Sequence, residues 1–107
     1  MVGLYSSGDW HVKPGSEHAF TERWREFAEW TEANLPGNTF AKLLQDEAEP
    51  GHFISFGPWR DHAAIAAWRD HPGFKERVGR LQELLVSFAP RTMSLAAETG
   101  APTPNPW

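Results

Sequence analysis

The sequence predicts one α+β domain whose strands and helices follow the order β-α-β-β-α-β. Two segments carry apolar residues at helical spacing, four are extended and rich in aromatic or aliphatic residues, and Pro or Gly stands at most of the junctions. The chain has 107 residues, the size of a single domain. A domain of this size buries only about two-thirds of the surface that its unfolded chain exposes, so a partner subunit could add to this burial.

The first strand and the first helix lie before residue 38. Residues 4–12, LYSSGDWHV, have no helical periodicity and predict a strand that ends at the turn Lys13-Pro14-Gly15. Ser16 is placed to cap a helix of about 18 residues that ends at Pro36-Gly37. One side of this helix carries the apolar stripe Phe20, Trp24, Phe27, Thr31 and Leu35, and the other side carries Glu22, Arg25, Glu26 and Glu29.

Two further strands form a predicted hairpin. Residues 39–46, TFAKLLQD, and 52–59, HFISFGPW, are rich in aromatic and aliphatic residues, and the loop between them is short. Pro58 cannot donate a hydrogen bond to a neighbouring strand, so it marks a strand end or a sheet edge.

The second helical pattern begins at Asp61 and is broken by His71-Pro72-Gly73. It resumes and extends through Phe88, and Pro90 ends it. Residues 91–98, RTMSLAAE, alternate apolar and polar side chains and predict the last strand.

Together these elements predict a ferredoxin-like fold, an antiparallel four-stranded sheet with both helices on one face. Residues 1–99 form the domain, and the Pro-rich tail of residues 100–107 is expected to be dispensable for folding unless Trp107 inserts into a partner. The helix-free face of the sheet must be covered, and a second copy of the chain is the simplest cover. The sequence therefore predicts a homodimer.

The composition excludes several kinds of partner. The chain has 10 Lys and Arg against 14 Asp and Glu, a net charge of −4, and no basic stripe, so nucleic acid and membranes are not expected as partners. There is no Cys, which excludes disulfides and thiolate metal sites. The segment MVGLYSSGDWHVKPG has neither a basic start nor a long apolar run, so we expect no signal peptide, no membrane span and a cytoplasmic protein.

The sequence Trp-Arg-Asp-His occurs twice, at residues 59–62 and 68–71. On one continuous helix, nine residues correspond to about 900°, so His62 and His71 would point to opposite sides and could not share a metal ion. The other histidines lie on different elements, and no carboxylate–histidine pattern marks them, so neither a metal site nor a cofactor is predicted. Instead, each copy ends one element and starts the next, with Asp61 and His71 at the two helix caps.

Three segments carry motifs in a fixed order. They are WHVKPGSEHAFTERWREF with a VKPG turn, LLQDEAEPGHFISFGPWRD with a D-x-x-x-P-G-x-F hairpin and a P-W-x-D-x-x-A helix start, and AWRDHPGFKERV. In this order and spacing they resemble the antibiotic biosynthesis monooxygenase family over residues 4–98. The resemblance implies a dimeric α+β barrel, in which two sheets face each other and each subunit has a pocket between its sheet and its helices.

That family includes cofactor-independent oxygenases that convert polycyclic phenols to quinones, haem-degrading enzymes, and domains without known activity. The haem-degrading branch uses an Asn on the first strand, a Trp before the helix break and a His on the second helix. In this chain Trp68 matches the Trp, but the Asn position holds Gly8 and the His position holds Val78. We therefore expect no haem degradation by that route.

The resemblance and the strand pattern together select the candidate site residues. Trp68 and His71 are the catalytic candidates, and the substrate-binding candidates are Ser6, Gly8, Trp10, Trp68, Phe74 and Val78. Gly8 either leaves room for a ligand or marks a bulge. A Trp on an apolar helix face is often core and a His at a helix start is often a cap, so structural roles for Trp68 and His71 stay open. Asp9 and His11, on the other side of the strand, are expected to face the dimer barrel or solvent.

Two functions remain open from the sequence. The first is a metal-free, cofactor-independent monooxygenase for a small aromatic or polyketide-like substrate, whose own anion would donate an electron to dioxygen in a dry aromatic pocket. The alternative is a non-catalytic dimer that binds a small apolar ligand, as a stress-response protein does. The lack of a well-placed acid–base pair favours the alternative.

Overall fold

The structure, a computed structural model, describes residues 3–100. Its elements are β1 (Leu4–Val12), α1 (Glu17–Asn34), β2 (Lys42–Gln45), β3 (His52–Trp59), α2 (His62–Asp70), α3 (Pro72–Gln82) and β4 (Leu85–Ser94). The strands form one antiparallel sheet in the order β2-β3-β1-β4. The predicted ferredoxin-like α+β order is therefore confirmed, with the second helix divided into α2 and α3.

The predictions for the C-terminal tail cannot be compared with the structure, whereas the expected lack of a membrane-spanning helix can be. Residues 101–107, which hold most of the Pro-rich tail and Trp107, lie outside the described residues. Within residues 3–100, no helix has both the length and the apolar composition needed to cross a bilayer.

The two faces of the sheet differ because side chains alternate along each strand. On β1, Leu4, Trp10 and Val12 are buried against the helices, and we call this side the covered face. Asp9 and His11 lie on the other side, as predicted, and we call it the open face. Within the described residues, Leu44, Ile54 and Met93 expose large apolar side chains on the open face or its edge.

The core on the covered face consists of two clusters. The larger contains Trp10, Val12, Phe20, Phe27, Phe53 and Leu81, and the smaller contains Leu4, Leu35, Trp59, Ala64 and Ile65. Trp30 and Trp68 pack against both clusters. Trp30 and Trp68 therefore lie where the two clusters meet, between the sheet and the helices.

The predicted end of the second helix and the predicted last strand are both wrong. The helix was expected through Phe88 and the strand over residues 91–98, but α3 ends at Gln82 and β4 spans Leu85–Ser94. The apolar residues of β4 continue the helical spacing of α3, so the pattern alone does not reveal the change. Pro90 lies within β4, opposite Gly8, rather than ending a helix. An edge strand tolerates a proline because it needs hydrogen bonds on one side only.

The other boundaries agree more closely with the sequence. The spans of β1 and β3 are those predicted, and α1 has the 18 residues expected. Ser16 is the residue before α1, but its side chain makes no capping hydrogen bond, which corrects the predicted cap. The strand predicted over residues 39–46 is shorter, because only Lys42–Gln45 pairs with β3 as a strand.

Candidate functional site

A cavity lies between the covered face and the helices, where the two core clusters meet. All six predicted substrate-binding residues line it: Ser6, Gly8, Trp10, Trp68, Phe74 and Val78. Three of these residues, Gly8, Trp68 and Val78, occupy the positions of the haem-degrading branch's Asn, Trp and His. All three line the same cavity. Two of them come from opposite sides, since Gly8 is on β1 and Val78 is on α3.

Three indole N–H groups at the cavity each donate to a hydroxyl. The pairs are Trp10 Nε1 to Ser55 Oγ at 2.9 Å, Trp59 Nε1 to Ser6 Oγ at 2.9 Å, and Trp68 Nε1 to Thr31 Oγ1 at 3.0 Å. Thr31 in turn donates to the Phe27 carbonyl at 2.9 Å. Within residues 3–100, the Ser6 and Ser55 hydroxyls donate to no other group, so each keeps a proton that it can offer to a ligand.

The role of Gly8 is to admit the indole of Trp10. A Cβ at this position would lie 2.5 Å from Trp10 Nε1 and 2.9 Å from Ser55 Oγ. Trp10 is 2% exposed and stacks on Phe88 with ring centroids 4.0 Å apart. Gly8 is therefore neither an open space for a ligand nor part of the bulge, which lies at His11 and Val12.

Trp68 lines the cavity and packs against both core clusters. Its ring lies parallel to that of Phe27 with centroids 5.7 Å apart, is tilted against Trp59 at 4.8 Å and meets Phe74 edge-on at 4.8 Å. It is only partly buried. Trp68 thus has both of the roles that the sequence left open, a packed core contact and a cavity wall.

His71 lies outside this cavity. Its Nδ1 accepts the backbone N–H of Gly73 at 2.9 Å and so caps α3, which agrees with the predicted cap position. The exposed ring meets Trp30 edge-on at 5.0 Å. His71 is not among the side chains that line the cavity, so the geometry gives no support to the predicted catalytic role.

Trp59 also lines the cavity, although it was not among the site residues selected from the sequence. It is 1% exposed, lines the cavity and donates to Ser6. The sequence placed Trp59 correctly at the end of β3. Its side chain lies on the covered face, so it points towards the helices and the cavity.

Arg69 is a second site residue that the sequence did not reveal. Within residues 3–100 it is the only ionisable side chain that lines the cavity. Its guanidinium donates to Thr92 Oγ1 at 2.9 Å and to the Arg91 carbonyl at 3.3 Å, and no carboxylate of the described residues pairs with it. Partial burial lowers the pKa of Arg69, but an arginine remains charged at neutral pH. The cavity therefore has one positive charge at its wall.

The enclosed part of the cavity is narrow. The centres of water molecules can occupy about 60 Å³ of it, within an empty space of about 590 Å³ that includes the mouth. Ligand sites for drug-sized molecules commonly measure about 300–1,000 Å³. A planar ligand of three rings therefore fits only if a wall side chain is displaced.

The family model described as antibiotic biosynthesis monooxygenase matches residues 7–80, more than half of the chain. The chain belongs to this family. No sequence among the curated proteins matches the chain.

Several solved structures share the fold. A mutant of SnoaB, a cofactor-independent oxygenase from Streptomyces nogalater, is 19% identical, with a TM-score of 0.81 over 89% of this chain and 94% of its own. Rv0793 from Mycobacterium tuberculosis is 16% identical, with a TM-score of 0.75 over 91% of this chain and 98% of its own. A conserved protein from Methanosarcina mazei is 19% identical, with a TM-score of 0.78 over 88% of this chain and 93% of its own. At these identities the likenesses establish the fold alone.

Proposed function

We propose that this member of the antibiotic biosynthesis monooxygenase family oxidises a small, electron-rich phenolic or polyketide-like aromatic without a cofactor. One observation carries the proposal: the cavity has aromatic walls, hydroxyl donors and a single positive charge from Arg69. This combination suits a flat ring system with one ionised oxygen. The fold of the cofactor-independent oxygenase SnoaB supports the same choice.

The residues have separate roles in this chemistry. Trp68 and Phe74 hold the ring plane, while the Ser6 and Ser55 hydroxyls and Arg69 stabilise the anionic oxygen. The positive charge favours ionisation of the substrate, and the substrate anion then donates an electron to dioxygen. The apolar walls exclude water from the reactive anion.

The reaction balances without any further reductant. For an anthrone, one methylene carbon loses two C–H bonds and gains a carbonyl oxygen from dioxygen, and the second oxygen atom leaves as water. The substrate is oxidised and dioxygen is fully reduced, so one dioxygen is consumed for each quinone formed. The two protons of the water come from the substrate methylene.

Oxygen uptake tests the proposal. The protein, treated with a chelator, is mixed with anthrone and related hydroxylated anthracenes under ¹⁸O₂, and the product is analysed by mass spectrometry. We expect catalytic uptake of one dioxygen for each quinone and one labelled oxygen in the new carbonyl. Uptake no faster than with heat-denatured protein across the panel would contradict the proposal.

The alternative, a non-catalytic dimer that binds a small apolar ligand, is favoured by one observation. No residue with an ordinary general-base side chain lines the cavity within residues 3–100, since Arg69 is the only ionisable group there. Saturable quenching of tryptophan fluorescence by a hydroxyanthraquinone, without oxygen uptake on any anthracene, would support this alternative.

We further propose that two copies of the chain pair through their open faces. Leu44, Ile54 and Met93 are 55%, 37% and 48% exposed there, which leaves apolar surface in contact with water. Analytical ultracentrifugation at micromolar concentration is expected to give a dimer for the native protein and a shift towards monomer for Ile54→Glu. Ala63→Glu, on the exposed side of α2, is the matched control and should remain dimeric. A native monomer would contradict this pairing.

A further inference from the structure

The open face carries one cluster of ionisable side chains beside the turn between β2 and β3, which we call the histidine cluster. It consists of Asp9 and His11 on β1, His52 on β3 and Asp46 in the turn. His11 and His52 are directly opposite each other in the strand register, and their rings are stacked with centroids 4.6 Å apart. The two imidazoles therefore point the same way from neighbouring strands.

Both rings converge on one carboxylate oxygen. Asp9 Oδ1 lies 2.8 Å from His52 Nε2 and 3.4 Å from His11 Nε2. The second nitrogen of His52, Nδ1, lies 3.4 Å from Asp46 Oδ2. The other oxygen of Asp46 accepts the backbone N–H groups of Ala48 and Glu49, which fixes this carboxylate in the turn.

The cluster has more negative than positive charge when its histidines are neutral. Within residues 3–100, no Lys or Arg forms an ion pair with Asp9 or Asp46. The arrangement of two carboxylates without a paired cationic side chain therefore favours a cation between the two imidazoles and Asp9.

We propose that Asp9, His11 and His52 bind one divalent transition-metal ion of the zinc type, with Asp46 holding the ring of His52 in place. The ligand atoms of Asp9, His11 and His52 lie within 4.8 Å of one another. In a tetrahedral zinc site with Zn–N bonds of about 2.0–2.1 Å, two ligand nitrogens lie about 3.4 Å apart, so the two stacked rings must turn towards each other to close the site. A water molecule can complete a tetrahedral set.

The ligand types select the class of metal. Imidazole nitrogens suit zinc, cobalt, nickel and copper, whereas magnesium and calcium prefer oxygen ligands. In many such sites the coordinating histidine donates its other N–H to a carboxylate, which fixes the tautomer and the ring orientation. His52 matches this pattern, since its Nε2 faces Asp9 while its Nδ1 faces Asp46.

The metal would have a structural role. The histidine cluster is on the open face, whereas the cavity is on the covered face, so the sheet separates the two. A bound ion would join β1 to β3. The inference is therefore independent of the proposed oxygenase activity.

Metal titration tests the site directly. Chelator-treated protein is titrated with CoCl₂ and with ZnCl₂ at about pH 8, where free imidazoles are neutral, and with MgCl₂ for comparison. We expect saturation at about one cobalt per chain with visible absorption of a four-coordinate ion, a higher melting temperature with zinc, and no response to magnesium. His11→Gln and His52→Gln should each weaken binding at least about tenfold, and Asp46→Asn should weaken it less than either.

His18→Gln, an exposed histidine on α1, is the matched control and should bind as the native chain does. If circular dichroism shows that His52→Gln does not fold, His11→Gln and Asp9→Asn decide the question, since His11 has a half-exposed side chain. Absence of binding to the native protein, or equal binding by His11→Gln and His18→Gln, would overturn the proposal. Loss of binding in Glu49→Gln but not in His11→Gln would also overturn it, because the ion would then lie at Asp46, Glu49 and His52.

Discussion

The two Trp-Arg-Asp-His segments of the chain have the same four letters but different structures. In the first copy, residues 59–62, the tryptophan ends β3, and the helix begins at the histidine. In the second copy, residues 68–71, the first three residues still belong to α2, and the histidine lies between two helices. The capping residue is accordingly Asp61 in the first copy and His71 in the second.

The flanking residues explain this shift. A strand precedes the first copy and two alanines follow it, so a helix can start at once after Asp61. A helix precedes the second copy and Pro72-Gly73 follows it, so α2 ends and α3 starts one residue later. Gly73 is required because Trp30 lies against it, where a Cβ would collide with the indole. Identical tetrapeptides thus take their roles from their neighbours, while both tryptophans meet at the cavity.

The largest expected difference between the copies is in stability. Trp59 is 1% exposed, so Trp59→Ala should lower the free energy of unfolding by about 3–5 kcal/mol through the lost contacts and the remaining void. Trp68→Ala should cost about 1–2 kcal/mol less, because its ring is partly exposed already. Urea denaturation of the two variants measures the difference, and an equal or larger cost at Trp68 would contradict the assignment.

The arginines of the two copies, Arg60 and Arg69, should differ in their effect on ligand affinity. Arg69→Gln should weaken binding of an ionised hydroxyanthraquinone about three- to tenfold, since a partly exposed charged hydrogen bond contributes roughly 0.5–1.5 kcal/mol. Arg60→Gln is the control, because Arg60 is exposed and pairs with Asp61 away from the cavity. Fluorescence titration measures the affinity, and the absorbance of the bound ligand as a function of pH gives the pKa of its phenol. An unchanged phenol pKa in Arg69→Gln would show that the guanidinium does not touch the anion.

Trp68→Phe should weaken binding of the same ligand about two- to fivefold through the loss of stacking area. The matched control is Trp30→Phe rather than a change at Trp59, because Trp30 packs against both core clusters but does not line the cavity. Both variants should lose similar stability in thermal unfolding. Equal affinities for the two would mean that Trp68 acts only in the core.

The aspartates of the two Trp-Arg-Asp-His copies, Asp61 and Asp70, should differ in how much they stabilise the fold, and the difference should depend on pH. Asp61 accepts the Ala64 N–H at 2.8 Å, and this hydrogen bond lowers the pKa of its carboxyl, with a smaller contribution from Arg60. A lowered pKa means that the stabilisation is present above the unfolded-state value and is lost as pH falls through the folded-state value. Asp61→Ala should therefore lower the melting temperature at pH near 7 but have little effect at about pH 2.5. Asp70→Ala should have little effect at either pH, and a pH-independent loss in Asp61→Ala would contradict the role of the carboxylate.

Much of the fold could be predicted because its signals are local. The alternation of β1, the apolar stripe of α1 and the turn residues between elements act within a few positions of the chain. The boundary between α3 and β4 could not be predicted, because Leu81, Leu85 and Phe88 fit a helical spacing as well as they fit the observed structure. Pairing of β4 with β1, far away in the sequence, decides the outcome.

Part of the candidate site could also be predicted from the sequence. The parity of β1 placed Ser6, Gly8 and Trp10 on one face, and the resemblance supplied Trp68. Arg69 was missed because its position depends on contacts with β4, which the sequence placed wrongly. The histidine cluster was missed because His11 and His52 become neighbours only through the register of β1 and β3.

The close approach of Trp10 to Gly8 makes these two positions epistatic. The haem-degrading branch has an Asn where this chain has Gly8, yet any side chain here would displace the indole that reaches across to Ser55. Gly8→Asn alone should therefore be strongly destabilising, whereas the same change together with Trp10→Ala should cost less than the sum of the two single changes. Replacement of Trp10 therefore has to precede, or accompany, any change from Gly8 to Asn that keeps the fold stable.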